Sequence, residues 1–160
     1  MKPWEAPIDE ALLAQARSWV EAARQTSVSA EIETVYADVA EQIEARGPAC
    51  WASGRCCNFE KAGHLLFVTG LEAAWTVLRS PRGRVGDAGG CRFQEGNLCG
   101  VHGARPLGCR VYFCDRSAQE WQHRLSEHGQ AQVRAIHDRH GLTYRYAEWR
   151  WLLLVLDRVL

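Results

Sequence analysis

The stretch CRFQEGNLCGVHGARPLGCRVYFC, residues 91–114, holds four of the seven cysteines of this 160-residue chain. Its sequence EGN, residues 95–97, is a turn signal, and Cys91 and Cys99 lie at equal distances from Glu95. A hairpin centred on this turn brings the two thiols face to face across its strands. We therefore expect a short β-hairpin whose two cysteines can reach one metal ion.

The same stretch continues into a predicted helix that carries a third cysteine. Pro106 suits the first turn of a helix, because it has no amide hydrogen to lose there. Cys109 then lies near a helix N-terminus, where unpaired backbone N–H groups stabilise a thiolate and lower its pKa. Arg105 and Arg110 flank this cysteine, and guanidinium groups offset the negative charge of a thiolate site. Cys114 follows five residues later.

A second cysteine-rich segment, CWASGRCC at residues 50–57, contains Cys50 and the adjacent pair Cys56–Cys57. Neighbouring side chains on an extended strand point to opposite faces, so both members of the pair bind one ion only if the backbone turns between them. We expect either a tightly bent loop or a pair that serves two sites. His102 is a further possible ligand, because it follows a cysteine at metal-ligand spacing and imidazole commonly binds zinc.

Composition and charge narrow the function. Nineteen Lys and Arg residues match nineteen Asp and Glu residues, so no net field draws the chain onto nucleic acid or an anionic membrane. The N-terminus lacks the apolar region of a signal peptide, and the longest apolar run, residues 152–156, is far short of the ~20 residues of a membrane span. We expect a cytoplasmic protein without nucleic-acid or membrane partners. Because cytosolic disulfides are rare, metal binding is the leading interpretation of seven cysteines.

The predicted fold class is mainly α, a small α+β domain over residues 1–160 in which helices surround a short β-hairpin and cysteine-rich metal-binding loops. Apolar residues recur at three- and four-residue steps within residues 8–46, which predicts an N-terminal helical pair with Ser29 capping the second helix. The cysteine-cluster region spans residues 50–114. Further helices are expected over residues 117–160.

Capping signals predict where the other elements begin. Residues 64–68 read as a short strand, and Thr69 with Glu72 forms a capping box for the next helix. Ser117 with Glu120 repeats this pattern. Two further helices are expected, over residues 130–140 and 146–159. The last of them carries an apolar stripe, expected to dock on the first two helices, at Trp149, Leu152, Leu153 and Leu156.

The ordered combination of these motifs resembles the YkgJ-type cysteine-cluster family, a zinc- or iron-chelating domain whose signature runs CxxCxxCC, followed by a cysteine hairpin and an RPxxCR segment. The resemblance covers residues 50–114, and Ser53 stands where the second cysteine is expected, giving CxxSxxCC. It implies metal ligation by cysteines, and the similar flagellin lysine N-methylases suggest an iron–sulfur centre coupled to methyl transfer. The expected metal ligands are Cys50, Cys56, Cys57, Cys91, Cys99, Cys109 and Cys114.

Three classes of function remain open. The first is a metal-binding protein with a structural, electron-transfer or metal-handling role, and the second is an enzyme that uses the metal, such as a protein N-methyltransferase. The third is a thiol redox protein that cycles Cys56–Cys57 or Cys109 with Cys114. Thiolate ligands suit zinc and iron–sulfur clusters alike, but adjacent cysteines and a surplus of thiolates favour a polynuclear iron–sulfur centre over a single tetrahedral ion.

Overall fold

The structure is a computed structural model that describes residues 1–48, 56–59, 63–80 and 90–160. Within these ranges it is mainly helical with two small two-stranded sheets, which confirms the predicted fold class. The α-helices are α1 (Glu10–Arg24), α2 (Thr26–Arg46), α3 (Gly70–Leu78), α4 (Leu107–Arg110), α5 (Gln119–Arg139) and α6 (Trp149–Asp157). The strands are β1 (Phe67–Thr69), β2 (Gln94–Glu95), β3 (Leu98–Cys99) and β4 (Tyr146–Glu148).

The first two helices are joined by a single extended residue. Helix α1 begins after Asp9, whose carboxylate accepts a backbone N–H of the first turn at 2.8 Å. Gln25 both ends α1 and precedes α2, so α2 begins one turn earlier than expected. The predicted Ser29 cap is therefore wrong. Ser29 lies inside α2, and its hydroxyl accepts a hydrogen bond from the Trp75 indole at 3.1 Å.

Helix α3 opens with the predicted capping box. The Thr69 hydroxyl accepts the Glu72 N–H at 3.2 Å, and the Glu72 carboxylate accepts the Thr69 N–H at the same distance. Glu72 is buried, and its second oxygen accepts the Tyr36 hydroxyl at 2.8 Å and the Leu107 N–H at 2.9 Å. One carboxylate thus connects α2, α3 and α4.

Helix α5 differs from the sequence prediction at its start and in its middle. The Ser117–Glu120 capping box does not form, because the Asp115 carboxylate binds both the N–H and the hydroxyl of Ser117, at 3.0 and 2.6 Å. A short 3-10 turn precedes the helix, which then runs without a break where two helices were expected. Gly129 lies in its middle, where a Cβ would be 2.8 Å from the Leu107 side chain. This glycine serves the close packing of α4 on α5.

The β1–β4 sheet joins the middle of the chain to its C-terminal part. The strands are antiparallel, with Val68 opposite Ala147. The strand expected over residues 64–68 is shorter, and β4 takes the first three residues of the expected last helix because they pair with β1. Trp149 then begins α6, and its backbone N–H donates to the Leu66 carbonyl at 2.8 Å.

Helices α1, α3 and α6 form what we call the helical frame. Its tightest contact is between α1 and α3, where a Cβ at Gly70 would lie 2.5 Å from the indole of Trp19, so glycine is needed for the ring to fit. The Trp19 N–H donates to the Thr143 carbonyl at 3.0 Å. Buried apolar side chains of the frame include Leu12, Ala16, Trp19, Val20, Leu71, Ala74, Leu152, Leu153 and Leu156.

Candidate metal centre

The hairpin of β2 and β3 forms at the predicted turn but in another register. Gly96 has a φ of 61°, a left-handed conformation that favours glycine. Cys99 pairs with Gln94, so Cys91 does not face it across the strands as predicted. The reason is a tight turn ahead of β2, in which the Gln94 N–H donates to the Cys91 carbonyl at 3.1 Å and shortens the pairing to two residues a strand.

The adjacent cysteines lie in a turn, which is the bent backbone that two ligands of one site require. The sulfurs of Cys56 and Cys57 are 4.0 Å apart. The carbonyl of Cys57 accepts the N–H of Cys91 at 2.8 Å, which joins the two cysteine segments. The Cys57 thiol also interacts with the thiols of Cys91 and Cys99, because it lowers the pKa of each while its own pKa is raised. Cys57 is therefore the centre of what we call the four-thiol cluster, formed by Cys56, Cys57, Cys91 and Cys99.

Hydrogen bonding divides the four-thiol cluster into two kinds of thiol. The contact with Cys57 lowers the pKa of Cys56 and of Cys99 to about 6, and it also lowers the pKa of Cys91. The pKa of Cys57 is raised by the same hydrogen bonds and by burial. Cys57 thus holds its proton most tightly of the four, and Cys56 and Cys99 ionise at a lower pH than an ordinary thiol. The thiolate is the form of cysteine that binds metals.

One cavity of about 160 Å³ brings the cysteines together. It lies between the Cys56–Cys57 turn, the hairpin and α4. The six described cysteines that line it are Cys56, Cys57, Cys91, Cys99, Cys109 and Cys114. Apolar and aromatic side chains complete much of the wall and include Phe59, Leu66, Val101, Tyr112, Phe113 and Trp149. Such a wall limits water around the sulfurs and strengthens electrostatic interactions among them.

Cys109 reaches the cavity from α4, and Pro106 is the residue that directly precedes this helix. The prediction that this helix end lowers the pKa of Cys109 is wrong. Burial raises the pKa of Cys109, and the negative charges of Cys91 and Cys99 raise it further. Helix α4 has only four residues, so it has little dipole with which to offset burial.

The two arginines that flank Cys109 have different roles. Arg105 lines the cavity, and its charge adds to the hydrogen bonds that lower the pKa of Cys56 and Cys99. Arg110 instead donates to the carbonyl of Arg105 at 2.6 Å, and its guanidinium lies 4.0 Å from the ring centre of Tyr36. Arg105 therefore supplies positive charge to the sulfurs, whereas Arg110 holds the loop that carries Arg105.

His102 also lines the cavity, from a 3-10 turn over His102–Ala104. Partial burial lowers its pKa, and the neighbouring charges of Arg105 and Arg110 add to this effect. A lowered pKa favours the neutral imidazole, the form that binds metals. The structure therefore brings the predicted possible ligand to the same cavity as the cysteines.

Two residues of the site have roles that the sequence did not indicate. Trp149 is predicted above only as part of an apolar stripe, yet its indole N–H donates to the sulfur of Cys91 at 3.3 Å. Glu72 is predicted only as a capping residue, yet it also binds the N–H of Leu107 in the segment that carries Cys109. No local pattern could have found either contact, because each spans more than 30 residues and depends on how the elements pack.

A second cavity, of about 280 Å³, lies beside the first. The two share the residues Cys56, Leu66, Cys109 and Tyr112. Helix α5 lines the second cavity with polar side chains at helical spacing, from Gln119, Gln122, His123 and Ser126. Phe67 and Tyr146 also line it, with ring centres 5.8 Å apart. Aromatic surface combined with hydrogen-bonding groups is typical of sites for small molecules.

The donor set can be compared with what a metal requires. Across the described residues, no three His, Cys, Asp or Glu side chains already surround a point where a metal ion could be held. The cluster fits a metal by its chemistry, because several thiols of lowered pKa meet in one cavity. The 4.0 Å between the sulfurs of Cys56 and Cys57 is also close to the ~3.8 Å that tetrahedral zinc with bonds of ~2.3 Å imposes. Cys50 and Ser53 lie outside the described residues.

Comparisons with protein-family models, curated proteins and solved structures gave no match for this chain. The resemblance to the YkgJ-type family therefore rests on its motifs and stays a prediction. In the part of the chain that the structure describes, every helix is too short or too polar to cross a membrane.

Proposed function

We propose that the protein is a cytoplasmic metal-binding protein of the YkgJ type, whose cysteine thiolates hold an iron–sulfur cluster or zinc in a structural, electron-transfer or metal-handling role. The observation that carries the proposal is the convergence of six cysteines on one cavity from segments far apart in the sequence. Cysteines that serve only as packing have no reason to converge on one cavity, whereas thiolate ligands of one centre must do so.

The four-thiol cluster supplies enough ligands for a tetrahedral zinc or for a cubane iron–sulfur cluster. Cys109 and Cys114 line the same cavity, and Cys50 precedes the Cys56–Cys57 turn in sequence. This surplus favours a polynuclear iron–sulfur cluster over one zinc ion. An iron–sulfur cluster supplies one-electron chemistry, whereas a closed zinc site supplies folding energy. In either case Arg105 offsets part of the negative charge on the sulfurs.

The first test is the metal content and optical spectrum of protein purified without oxygen and without chelator. Iron with inorganic sulfide and broad visible absorbance is the expected result. Stoichiometric zinc without a visible band would retain the metal site and overturn the preference for iron–sulfur. Protein with neither metal, whose thiols oxidise in pairs, would overturn the proposal in favour of the thiol redox function.

A pair of substitutions tests which residues hold the metal. Cys57→Ala removes the sulfur that contacts the three others, so we expect it to abolish metal binding. Leu98→Ala is the comparison and should keep the metal, because it removes a largely exposed side chain of the same cavity while leaving every thiol in place. Metal contents are measured after identical anaerobic purification. Equal metal in Cys57→Ala and the unsubstituted protein would contradict the ligand set.

The second cavity favours one alternative, a metal-dependent enzyme such as a protein N-methyltransferase. An enzyme of this class needs a substrate pocket beside its metal. The second cavity shares Cys56 and Cys109 with the cavity that the six cysteines line. The test adds the methyl donor S-adenosylmethionine to metal-loaded protein and records the metal spectrum. A saturable change that Tyr146→Ala weakens would support the enzyme, and an unchanged spectrum at millimolar donor would contradict this methyltransferase.

A further inference from the structure

The indole N–H of Trp149 donates its hydrogen bond to an unusual acceptor, a cysteine sulfur. A buried tryptophan N–H needs an acceptor, and two other tryptophans find backbone carbonyls: Trp19 donates to Thr143 at 3.0 Å and Trp151 to Ala6 at 2.9 Å. Trp149 is 1% exposed and donates instead to the sulfur of Cys91 at 3.3 Å. Because an indole N–H can only donate, the sulfur must be the acceptor.

Trp149 is fixed in place independently of the sulfur. Its backbone N–H binds the Leu66 carbonyl at 2.8 Å, at the point where the β1–β4 sheet ends and α6 begins. The donor therefore belongs to the helical frame, whereas the acceptor belongs to the hairpin segment, and the hydrogen bond sets the position of one relative to the other.

We propose that Trp149 is a positioning residue of the metal centre, whose N–H holds the Cys91 sulfur toward Cys57 and stabilises the Cys91 thiolate as a ligand. This inference rests on the proposed metal-binding function. Hydrogen bonds to ligand atoms orient the ligand and adjust its donor strength, and their loss commonly weakens metal binding by ~10- to 100-fold. An N–H···S hydrogen bond to a charged sulfur is stronger than one to a neutral sulfur, and a buried cavity strengthens it further.

The test compares Trp149→Phe with Trp151→Phe, two substitutions on the same helix that each remove one buried indole N–H. Cobalt(II) is titrated into metal-free, reduced protein, and its thiolate-to-metal charge-transfer bands report on the sulfurs. Trp149→Phe should weaken cobalt binding by ~10-fold and move these bands to longer wavelength, because the sulfur loses its donor. Trp151→Phe should leave both quantities unchanged.

A second measurement avoids the loss of stability that a smaller ring can cause. In protein labelled with ¹⁵N, the indole resonance of Trp149 should move when zinc binds, while that of Trp151 stays in place. The Trp149 resonance is identified by sequential assignment, or by its absence from the spectrum of folded Trp149→Phe. An unmoved Trp149 resonance at zinc saturation, or unchanged cobalt affinity and spectrum in folded Trp149→Phe, overturns the inference alone. Unsubstituted protein that binds neither cobalt nor zinc, and that holds no iron–sulfur cluster when purified without oxygen, overturns the proposed function together with the inference.

Discussion

The helical frame and the cysteine region, residues 56–59 and 90–114, are built in different ways. The frame has long stretches of regular hydrogen bonding and a buried apolar interior. The cysteine region has strands of two residues, a helix of four and a 3-10 turn, and five of its six described cysteines are only partly buried. Apolar burial therefore stabilises the frame without any ligand, whereas the cysteine region depends on a few hydrogen bonds and on contacts between sulfurs.

The two regions meet at a small number of polar contacts. Glu72 of α3 binds the N–H of Leu107, and Trp149 of α6 binds the sulfur of Cys91. Each contact runs from a rigid element to a short irregular one. The frame therefore acts as the fixed reference against which the sulfurs are placed. Changes to the frame should affect both regions, whereas changes to the thiols should affect only the cysteine region.

The largest effect is expected from a change inside the frame. Trp19→Ala removes a fully buried indole that packs on Gly70, and we expect it to lower the free energy of unfolding by ~4 kcal/mol. Urea denaturation followed by circular dichroism, in reducing buffer with chelator, measures this loss. Exposed Ser18→Ala in the same helix is the control and should change stability by less than ~0.5 kcal/mol. A loss of less than ~1 kcal/mol in the free energy of unfolding of Trp19→Ala would show that the frame is loosely packed.

A smaller effect is expected where the frame meets the cysteine region. Glu72→Ala leaves the Tyr36 hydroxyl and the Leu107 N–H without their buried acceptor, which we expect to cost ~3 kcal/mol of unfolding free energy. Because Leu107 loses its anchor, the segment with Cys109 should open more often, and Cys109 should react faster with iodoacetamide. Exposed Glu21→Ala is the matched control. If Glu72→Ala loses stability but its Cys109 is labelled no faster than in the unsubstituted protein, the two regions are not coupled through Glu72.

The helices of the N-terminal half are the part of the fold that the sequence predicts best. Apolar periodicity marks α1 and α2, and the Thr69–Glu72 pair marks the start of α3, because amphipathic helices and their caps are encoded within a few residues. The errors lie where a neighbour competes for a local signal. The Asp115 carboxylate accepts a hydrogen bond from the Ser117 hydroxyl, so Ser117 does not cap the helix. The first three residues of the expected last helix pair with β1 as a strand instead.

The composition of the candidate site was predictable, but its arrangement was not. The cysteines, His102 and the arginines are visible as residue types in a pattern, and the structure places the described ones around one cavity. The central position of Cys57 and the raised pKa of Cys109 depend on burial and on contacts between distant segments. The Trp149–Cys91 contact spans 58 residues, and the pairing of β1 with β4 helps to place Trp149 for it.

The smallest expected effect lies within the cysteine region itself and concerns the reactivity of its thiols in metal-free protein. Hydrogen bonding with Cys57 lowers the pKa of Cys56 and Cys99 to about 6, and burial raises that of Cys109. The thiolate is the form that reacts with iodoacetamide. Labelling of Cys56 and Cys99 should therefore be lost as the pH falls through about 6 and should be level above it, while Cys109 should need a higher pH.

The size of this effect at neutral pH is modest because two consequences of a lowered pKa oppose each other. At pH 7 a thiol with a pKa of about 6 is mostly ionised, whereas an ordinary thiol is ~3% ionised, but the intrinsic nucleophilicity of the low-pKa thiolate is ~13-fold lower. The net rate should exceed that of an unfolded cysteine peptide by about 2-fold. Mass spectrometry of labelled peptides between pH 5 and pH 9 gives each rate separately. A midpoint near the ordinary thiol value for both Cys56 and Cys99 would show that Cys57 does not organise the sulfurs, and only backbone hydrogen bonds and contacts with the frame would then order the cysteine region.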